Sequence, residues 1–366
     1  MNKSHSRKPK VLNVGFHPPP PGGMAIFIEN FENSEIRDFF DLRGFDTDYP
    51  RWLKRFRPLT VLYLPIMYLH YIWILAVFKP DVVHIHTPAF NSFYKHALFL
   101  KITRERDIPV ALHIHAGKFK EFYDNLKKSK QRDVCGKLAD ANLLIVLSNY
   151  WKDFFADLYP VEKIRIVENG IPVDVYCPGE DLSPSNGKNF LYVGRVLQQK
   201  GMDELLDACL EVFRIYPDAH LTIAGGEDVA HYSSKAEKMN ISKHITFTGE
   251  IVGKPLIELY QKSDVFVLPS HAEGMPLVLL EAMSVGLACI ATDVGAIPEV
   301  LKPSGGIIIP PKDVEALKNA ILQLAGRSEA HKKMGNENRE IISRNYSFRN
   351  VAEKMKQVYD ELIIYC

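Results

Sequence analysis

Asp264-Val-Phe-Val-Leu-Pro-Ser-His-Ala-Glu-Gly-Met-Pro-Leu-Val-Leu-Leu-Glu-Ala-Met283 is the stretch that sets the architecture of this chain. Residues 264–269 have the length and composition of a buried strand. Gly274 and Pro276 mark a turn, and Leu277 begins a helix. A strand feeding a helix through a short turn is the unit of an open parallel sheet. Such sheets bind ligands beyond the carboxyl ends of their strands, at helix N-termini. Glu273 falls in the turn and Glu281 about one turn into the helix. The backbone amides from Gly274 through Met275 and Pro276 to Leu277 are expected there, open to an anion. A carboxylate at Glu281 accepts two hydrogen bonds and suits a pair of hydroxyls. Diphosphate plus ribose is the ligand these features suggest. Two glutamates alone fit better a solvated loop residue and the outer face of an amphipathic helix, so the remaining chain has to decide.

The same unit recurs. Residues 190–193 read as a strand, followed by Gly194-Arg-Val-Leu-Gln-Gln-Lys-Gly201 and a helix from Met202. Arg195 and Lys200, in a glycine-bounded loop, are placed to neutralise a diphosphate; as ordinary surface ion pairs they would be worth little. Further strands are read at 220–224, 245–249 and 288–291. The first half opens with a strand at 11–16 that runs into His17-Pro-Pro-Pro-Pro-Gly-Gly-Met-Ala25. Four prolines exclude the G-x-G-x-x-G dinucleotide fingerprint, while Gly22 and Gly23 let the backbone come close to a bound group. Strands at 108–114, 141–147 and 164–168 follow. His113 and His115 share a strand face, and His115 stands at the strand's end; the pair leaves two candidates for a histidine that meets substrate. Ser148 is a candidate helix N-cap. Asp46-Thr-Asp48 could hold a metal, but with no apolar strand read before it the triplet is taken as loop and no metal site is assigned.

Length bounds the answer to two domains. The chain has 366 residues, 46% hydrophobic and 24% charged, with a net charge of only +1, which gives no global pointer to nucleic acid. Residues 1–175 carry 25 Lys+Arg against 19 Asp+Glu, net +6, and the remainder carries 20 against 25, net −5. A basic first half suits an anionic partner or surface. Five scattered cysteines without CxxC spacing indicate reduced thiols, and the polar N-terminus does not read as a secretory signal, so a cytoplasmic setting is expected. The polar, breaker-rich residues 180–188 are read as the interdomain linker, which divides the chain into 1–178 and 179–349. Residues 59–78 are almost wholly apolar and follow Arg51, Lys54, Arg55 and Arg57. Pro65 and His70 argue against a membrane span, so a buried crossover helix is the first reading. Contact of residues 51–78 with the inner membrane surface is the second.

With these residues quoted, the chain resembles the GT-B-fold retaining glycosyltransferases of family 4 (glycosyl transferases group 1). Pro20-Pro-Gly-Gly-Met-Ala25, His115-Ala-Gly117, Asn169-Gly-Ile171, Gly194-Arg195 with Lys200-Gly201, and Glu273 with Glu281 occur in the family's order. The resemblance implies an α/β fold of two Rossmann-like domains facing each other across a cleft, with the C-terminal helix 350–366 returning to the first. It implies Arg195 and Lys200 on the donor diphosphate, Glu281 on the ribose, and Glu273 with the 274–277 amides at the donor sugar. His115 would contact that sugar, and Gly22 and Gly23 would approach phosphate and acceptor. It also implies a nucleotide-diphosphate sugar as donor, a glycan or lipid-linked acceptor and no cofactor. Gly295-Ala296 departs from the Gly-Gly the family often has. A nucleotide-sugar 2-epimerase of the same architecture and a non-catalytic nucleotide-sugar-binding protein are the alternatives.

Overall fold

The computed structural model describes residues 7–18, 22–50, 53, 57–115, 117–179 and 187–365. Pro20 and Pro21 of the first glycine loop, the cations Arg51, Lys54 and Arg55, Ala116, and residues 180–186 of the expected linker lie outside the described residues. The chain divides into two compact units, Met1–Gly170 with Phe348–Cys366, and Ile171–Ser347. This boundary precedes the one drawn at 178/179. Ile171 donates its N–H to the Tyr346 carbonyl at 3.0 Å, and the Cys177 carbonyl accepts from Gln261 Nε2 at 2.9 Å, so the segment after Gly170 is tied into the second unit.

The first unit is built on β1 (Lys10–Gly15), β2 (Asp41–Asp46), β3 (Val82–Thr87), β4 (Val110–Ile114), β5 (Leu143–Val146) and β6 (Ile164–Ile166). They form one parallel sheet in the order β2-β1-β3-β4-β5-β6. Strands β3, β4 and β5 are buried at every residue, the condition of a parallel sheet covered on both faces. β3 and β4 pair with His86 opposite His113, which brings the histidines of both strands to one face. The edge strand β2 is absent from the sequence reading. It buries only Leu42 and Phe45 among polar neighbours, so it lacks an apolar run. Ser148 does precede the helix Asn149–Ala156, but its side chain makes no capping hydrogen bond.

The second unit repeats the plan with β7 (Asn189–Val193), β8 (His220–Ala224), β9 (Ile245–Gly249), β10 (Val265–Leu268), β11 (Ala288–Thr292) and β12 (Ile307–Ile309). The sheet is again parallel, in the order β12-β11-β10-β7-β8-β9. Strand order reverses between β7 and β10, which pair directly. That is the Rossmann order, and its reversal point is where ligands bind in such sheets.

The helix Arg57–Phe78 corrects the expectation of a buried crossover. One face is in the core, through Met67, Tyr71, Ile74, Leu75 and Phe78. The opposite face is equally apolar and uncovered: Leu62, Ile66, Leu69, Trp73 and Val77, spaced by three or four residues, are each 54–69% exposed. Among the described residues no helix is long and apolar enough to cross a membrane.

Candidate active site

At the reversal point of the second sheet, the loop after β7 and the loop after β10 lie against each other. Gly201, at φ 77°, has no room for a side chain, because a Cβ there would meet the Pro269 carbonyl oxygen at 2.1 Å. His271 N–H donates to the Gln199 carbonyl at 3.1 Å. On the other side, a Cβ on Gly295 (φ 56°) would meet the Glu273 carbonyl at 2.1 Å, and Ala296 N–H donates to the Gly274 carbonyl at 2.9 Å. This packing brings together Lys200 and Glu273, predicted 73 residues apart: Lys200 Nζ donates to Glu273 Oε1 in a pair with side chains 20% and 12% exposed. Arg195 is held more loosely. Its Nη1 stands 3.4 Å from Glu227 Oε1 with both side chains about half exposed, at 59% and 45%, a geometry worth at most about 1 kcal/mol. Its carbonyl accepts from the Tyr192 hydroxyl at 2.8 Å. The two cations are therefore present at one loop, each already facing a carboxylate.

The helix Leu277–Val285 is buried on nearly every face, which rules out the amphipathic surface helix that Glu281 alone could have implied. Glu281 is 5% exposed, and its Oε2 accepts from the Tyr260 hydroxyl at 2.8 Å. Burial pushes its carboxyl above the usual range, while hydrogen bonds from Tyr260 and Tyr176 hold that rise back. Burial and the Glu281 charge push both tyrosines upward in turn. Neither tyrosine is singled out by the sequence; each is one aromatic among many, and only the fold directs it at Glu281. The expectation of four open amides also needs correction. Pro276 has no N–H to offer, and Leu277 is the first helical residue. A separate cavity of about 810 Å³, lined in part by Tyr176, Cys177, Ser284, Arg339 and Arg344, contains none of Arg195, Lys200, Glu273 or Glu281.

In the first unit, Gly22 caps the helix Gly23–Glu32, and a Cβ on either Gly22 or Gly23 would meet nothing within 4 Å. The two candidate histidines separate clearly. His113 is fully buried within β4, whereas His115 follows the strand's last residue and is half-buried. Both belong to a cluster with His84 and His86. His84 Nε2 lies 3.3 Å from His113 Nδ1, and His86 Nδ1 lies 2.9 Å from His115 Nε2. Phe27 packs on three of these rings with centroids 5.0–6.0 Å away. Tyr359, from the C-terminal helix Phe348–Tyr365, reaches His84 Nδ1 at 2.7 Å. Burial holds all four imidazoles neutral, with His115 lowered to about 3. Ring nitrogens of His84, His86 and His113 come within 4.8 Å of one another, a spacing compatible with a metal ion. Within this trio His84 and His113 are hydrogen-bonded to each other, while both nitrogens of His86 are taken by His115 and Asn13. Asp46 ends β2, contrary to the absence of a strand before it, and its Oδ1 accepts the N–H groups of His17 (3.2 Å) and Asp48 (2.8 Å). The triplet is thus a hydrogen-bonded turn.

Known proteins share this plan. A sequence model described as "Glycosyl transferases group 1" matches residues 179–341, and one described as "Glycosyltransferase Family 4" matches residues 37–175. The chain is 27% identical over 290 residues to a glycogen synthase of Mycobacterium tuberculosis, covering 77% of this chain and 69% of that one. It is 27% identical over 289 residues to a phosphatidyl-myo-inositol mannosyltransferase of Mycobacterium leprae, covering 76% and 73%. In structure it superposes on a sucrose-phosphate synthase from Thermosynechococcus elongatus with a TM-score of 0.81 at 20% identity, covering 98% of this chain and 100% of that one, which fixes the fold as GT-B. With two parallel six-stranded Rossmann-like sheets and both halves matched in order, the chain belongs to the group 1 glycosyltransferases of family 4.

Proposed function

We propose that the protein is a retaining, metal-independent hexosyltransferase that moves a sugar from a nucleotide-diphosphate donor to a glycan or lipid-linked acceptor in cell-surface polysaccharide synthesis. The observation that carries this reading is the pairing of Lys200 with Glu273 at the reversal point of the second sheet, beside Arg195. The bond from the anomeric carbon to the phosphate oxygen breaks as a bond to the acceptor oxygen forms on the same face. The departing diphosphate takes the acceptor proton. Negative charge then accumulates on the diphosphate, and fixed cations there are the main catalytic term. Arg195 and Lys200 supply them without a metal, the donor diphosphate taking the places that Glu227 and Glu273 hold in the free protein. Glu273 released from Lys200 is then available to the sugar hydroxyls, Glu281 holds the ribose, and the backbone from Gly274 through Met275 and Pro276 to Leu277 shapes the sugar pocket. His115 contacts the sugar from the first unit, whose Gly22–Gly23 turn leaves space for phosphate or acceptor. Incubation with a panel of nucleotide sugars and lipid-linked or oligosaccharide acceptors tests this. Transfer requiring both substrates is the expected result; donor epimerised without acceptor would overturn it.

The apolar stripe Leu62–Ile66–Leu69–Trp73–Val77 supports peripheral binding of the first unit to the inner face of an anionic membrane, where lipid-linked acceptors reside. Each such side chain gains about 1.5–3 kcal/mol when withdrawn from water, and four cations, Arg51, Lys54, Arg55 and Arg57, surround the helix start in sequence. Co-sedimentation with vesicles containing phosphatidylglycerol is expected for the intact protein and strongly reduced for Leu69→Glu/Trp73→Glu. Equal sedimentation of both would remove the membrane from the proposal.

A further inference from the structure

The histidine cluster is wired to a second, acidic anchor that fixes more than its packing. Asn13 is the one polar residue inside β1, fully buried, and a buried amide must find partners. Its Nδ2 donates to Glu32 Oε1 at 2.8 Å, and its Oδ1 lies 2.6 Å from His86 Nε2. Glu32 Oε1 also receives His17 Nε2 at 3.0 Å. An ionised carboxylate only accepts, so the Asn13 atom facing it must be the amide nitrogen, and the atom facing His86 must be the carbonyl oxygen. His86 Nε2 must then carry a proton. Because His86 is fully buried and neutral, its Nδ1 is bare and accepts. The ring nitrogen 2.9 Å away, His115 Nε2, therefore carries the proton of His115. His115 Nδ1 then keeps a lone pair, buried, and the Asn169 side chain beside the ring must turn its amide N–H toward it, because two bare acceptors cannot face each other. Each protonation state follows from the donor or acceptor before it, starting from a carboxylate that has no choice.

We propose that Asn13 and His86 are positioning residues for the transfer reaction: they hold His115 with its proton on Nε2 and leave Nδ1 as the hydrogen-bond acceptor presented to a donor-sugar hydroxyl that displaces Asn169. This rests on the reading of His115 as a sugar contact. It also separates the four histidines by role. His84 and His113 form a second chain that starts at the Tyr359 hydroxyl and ties the C-terminal helix to the sheet, and it makes no hydrogen bond to the Asn13–His86–His115 chain.

The experiment is nitrogen-15 NMR of histidine-labelled protein, with the His115 signals identified by their loss in His115→Asn. The expected result is a proton on Nε2 of His115 in the intact protein. In Asn13→Leu, His86 loses its acceptor, so its proton moves to Nδ1 and the proton of His115 moves to its own Nδ1. Should the leucine variant not fold, Glu32→Gln serves: glutamine can donate to Asn13, the amide is free to turn, and the two His115 forms should coexist. In kinetics, Asn13→Leu or Glu32→Gln should lower kcat, by about tenfold or more for the full reversal, with little change in donor KM. His115→Asn, whose carbonyl stands near the position of Nδ1, should retain more kcat than His115→Gln. A proton on Nδ1 in the intact protein, or a tautomer that no variant shifts, would overturn the proposal. A shifted tautomer with unchanged kcat overturns the positioning role while leaving the transferase reading intact. The assigned tautomer in a protein that turns over no nucleotide sugar counts against the functional reading, and with it against the role of the relay.

Discussion

The two units meet the same topological requirement with opposite electrostatics. At the strand ends of the second sheet stand charged side chains, Lys200 with Glu273 in a largely buried pair and Arg195 with Glu227 in a half-exposed one. On one face of the first sheet stand four imidazoles that burial keeps neutral, three within β3 and β4 and His115 just past β4, hydrogen-bonded in two pairs and to Asn13 and Tyr359. On the proposed reading, the difference follows from what each site would bind. A diphosphate brings negative charge and needs cations that can leave a weaker partner. A sugar is neutral and needs oriented donors and acceptors, whose directions are fixed best where water cannot compete. Glu281 is the exception within the second unit, a carboxylate with its charge sunk among Tyr176 and Tyr260.

The largest effect expected from this contrast is at Lys200. Lys200→Ala should reduce kcat by about 10²–10³, the loss seen when one preorganised donor to a developing anion is removed, while circular dichroism and Tm stay near those of the parent. Near-normal turnover would remove the leaving-group role of the charged site.

A second test uses pH. His84, His86, His113 and His115 have pKa values lowered from the ordinary 6.5 by burial. Unfolded, they bind protons below about pH 6.5; folded, they do not. Their contribution is complete above 6.5 and is lost as pH falls below it, by up to about 1.4 kcal/mol per pH unit for each histidine. His17 works in the opposite sense: burial lowers its pKa, but its hydrogen bond and charge interaction with Glu32 more than offset this. Trp73 and Trp151 belong to the first unit, and the second unit, Ile171–Ser347, contains no tryptophan in its sequence. Tryptophan fluorescence during denaturant unfolding should therefore show the first unit weakening between pH 6.5 and 5; a pH-independent midpoint would contradict the neutral cluster.

A smaller and oppositely signed effect is expected at Glu281. Its folded pKa is raised above the ordinary 4.5, so the native state holds that proton more tightly than the unfolded chain does. The resulting cost is absent below 4.5 and present above the folded pKa. At neutral pH, Glu281→Gln should raise Tm, by about 2–4 °C for each kcal/mol relieved, and should weaken nucleoside-diphosphate binding about tenfold by thermal shift or calorimetry. A drop in both would mean that Glu281 is structural. Least affected should be Glu227→Gln: loss of an exposed pair leaves stability within about 1 kcal/mol and should leave donor affinity unchanged or slightly improved.

Much of the second unit was legible beforehand because its signals are local. Strand, glycine turn and helix succeed one another within about fifteen residues, and a strand run such as 264–269 needs only its own composition to be recognised. The first unit was less legible. β2 is a half-polar edge strand, and Asn13 reads as a blemish in an apolar run until Glu32 and His86 close around it. The helix Arg57–Phe78 shows the limit most plainly. An apolar residue has the same composition on either face, and only packing distinguishes buried Tyr71 from exposed Leu69 and Trp73.

The sequence by itself determined the alternation of strand and helix, the family, and the residue types that can meet a diphosphate, because these depend on short-range periodicity and turn chemistry. Only the tertiary structure decided that Lys200 faces Glu273, that Glu281 is sunk beneath two tyrosines, and that a carboxylate at Glu32 dictates the proton on His115. Those relations depend on which strands lie side by side, and strand order arises from packing over hundreds of residues, which no local pattern encodes.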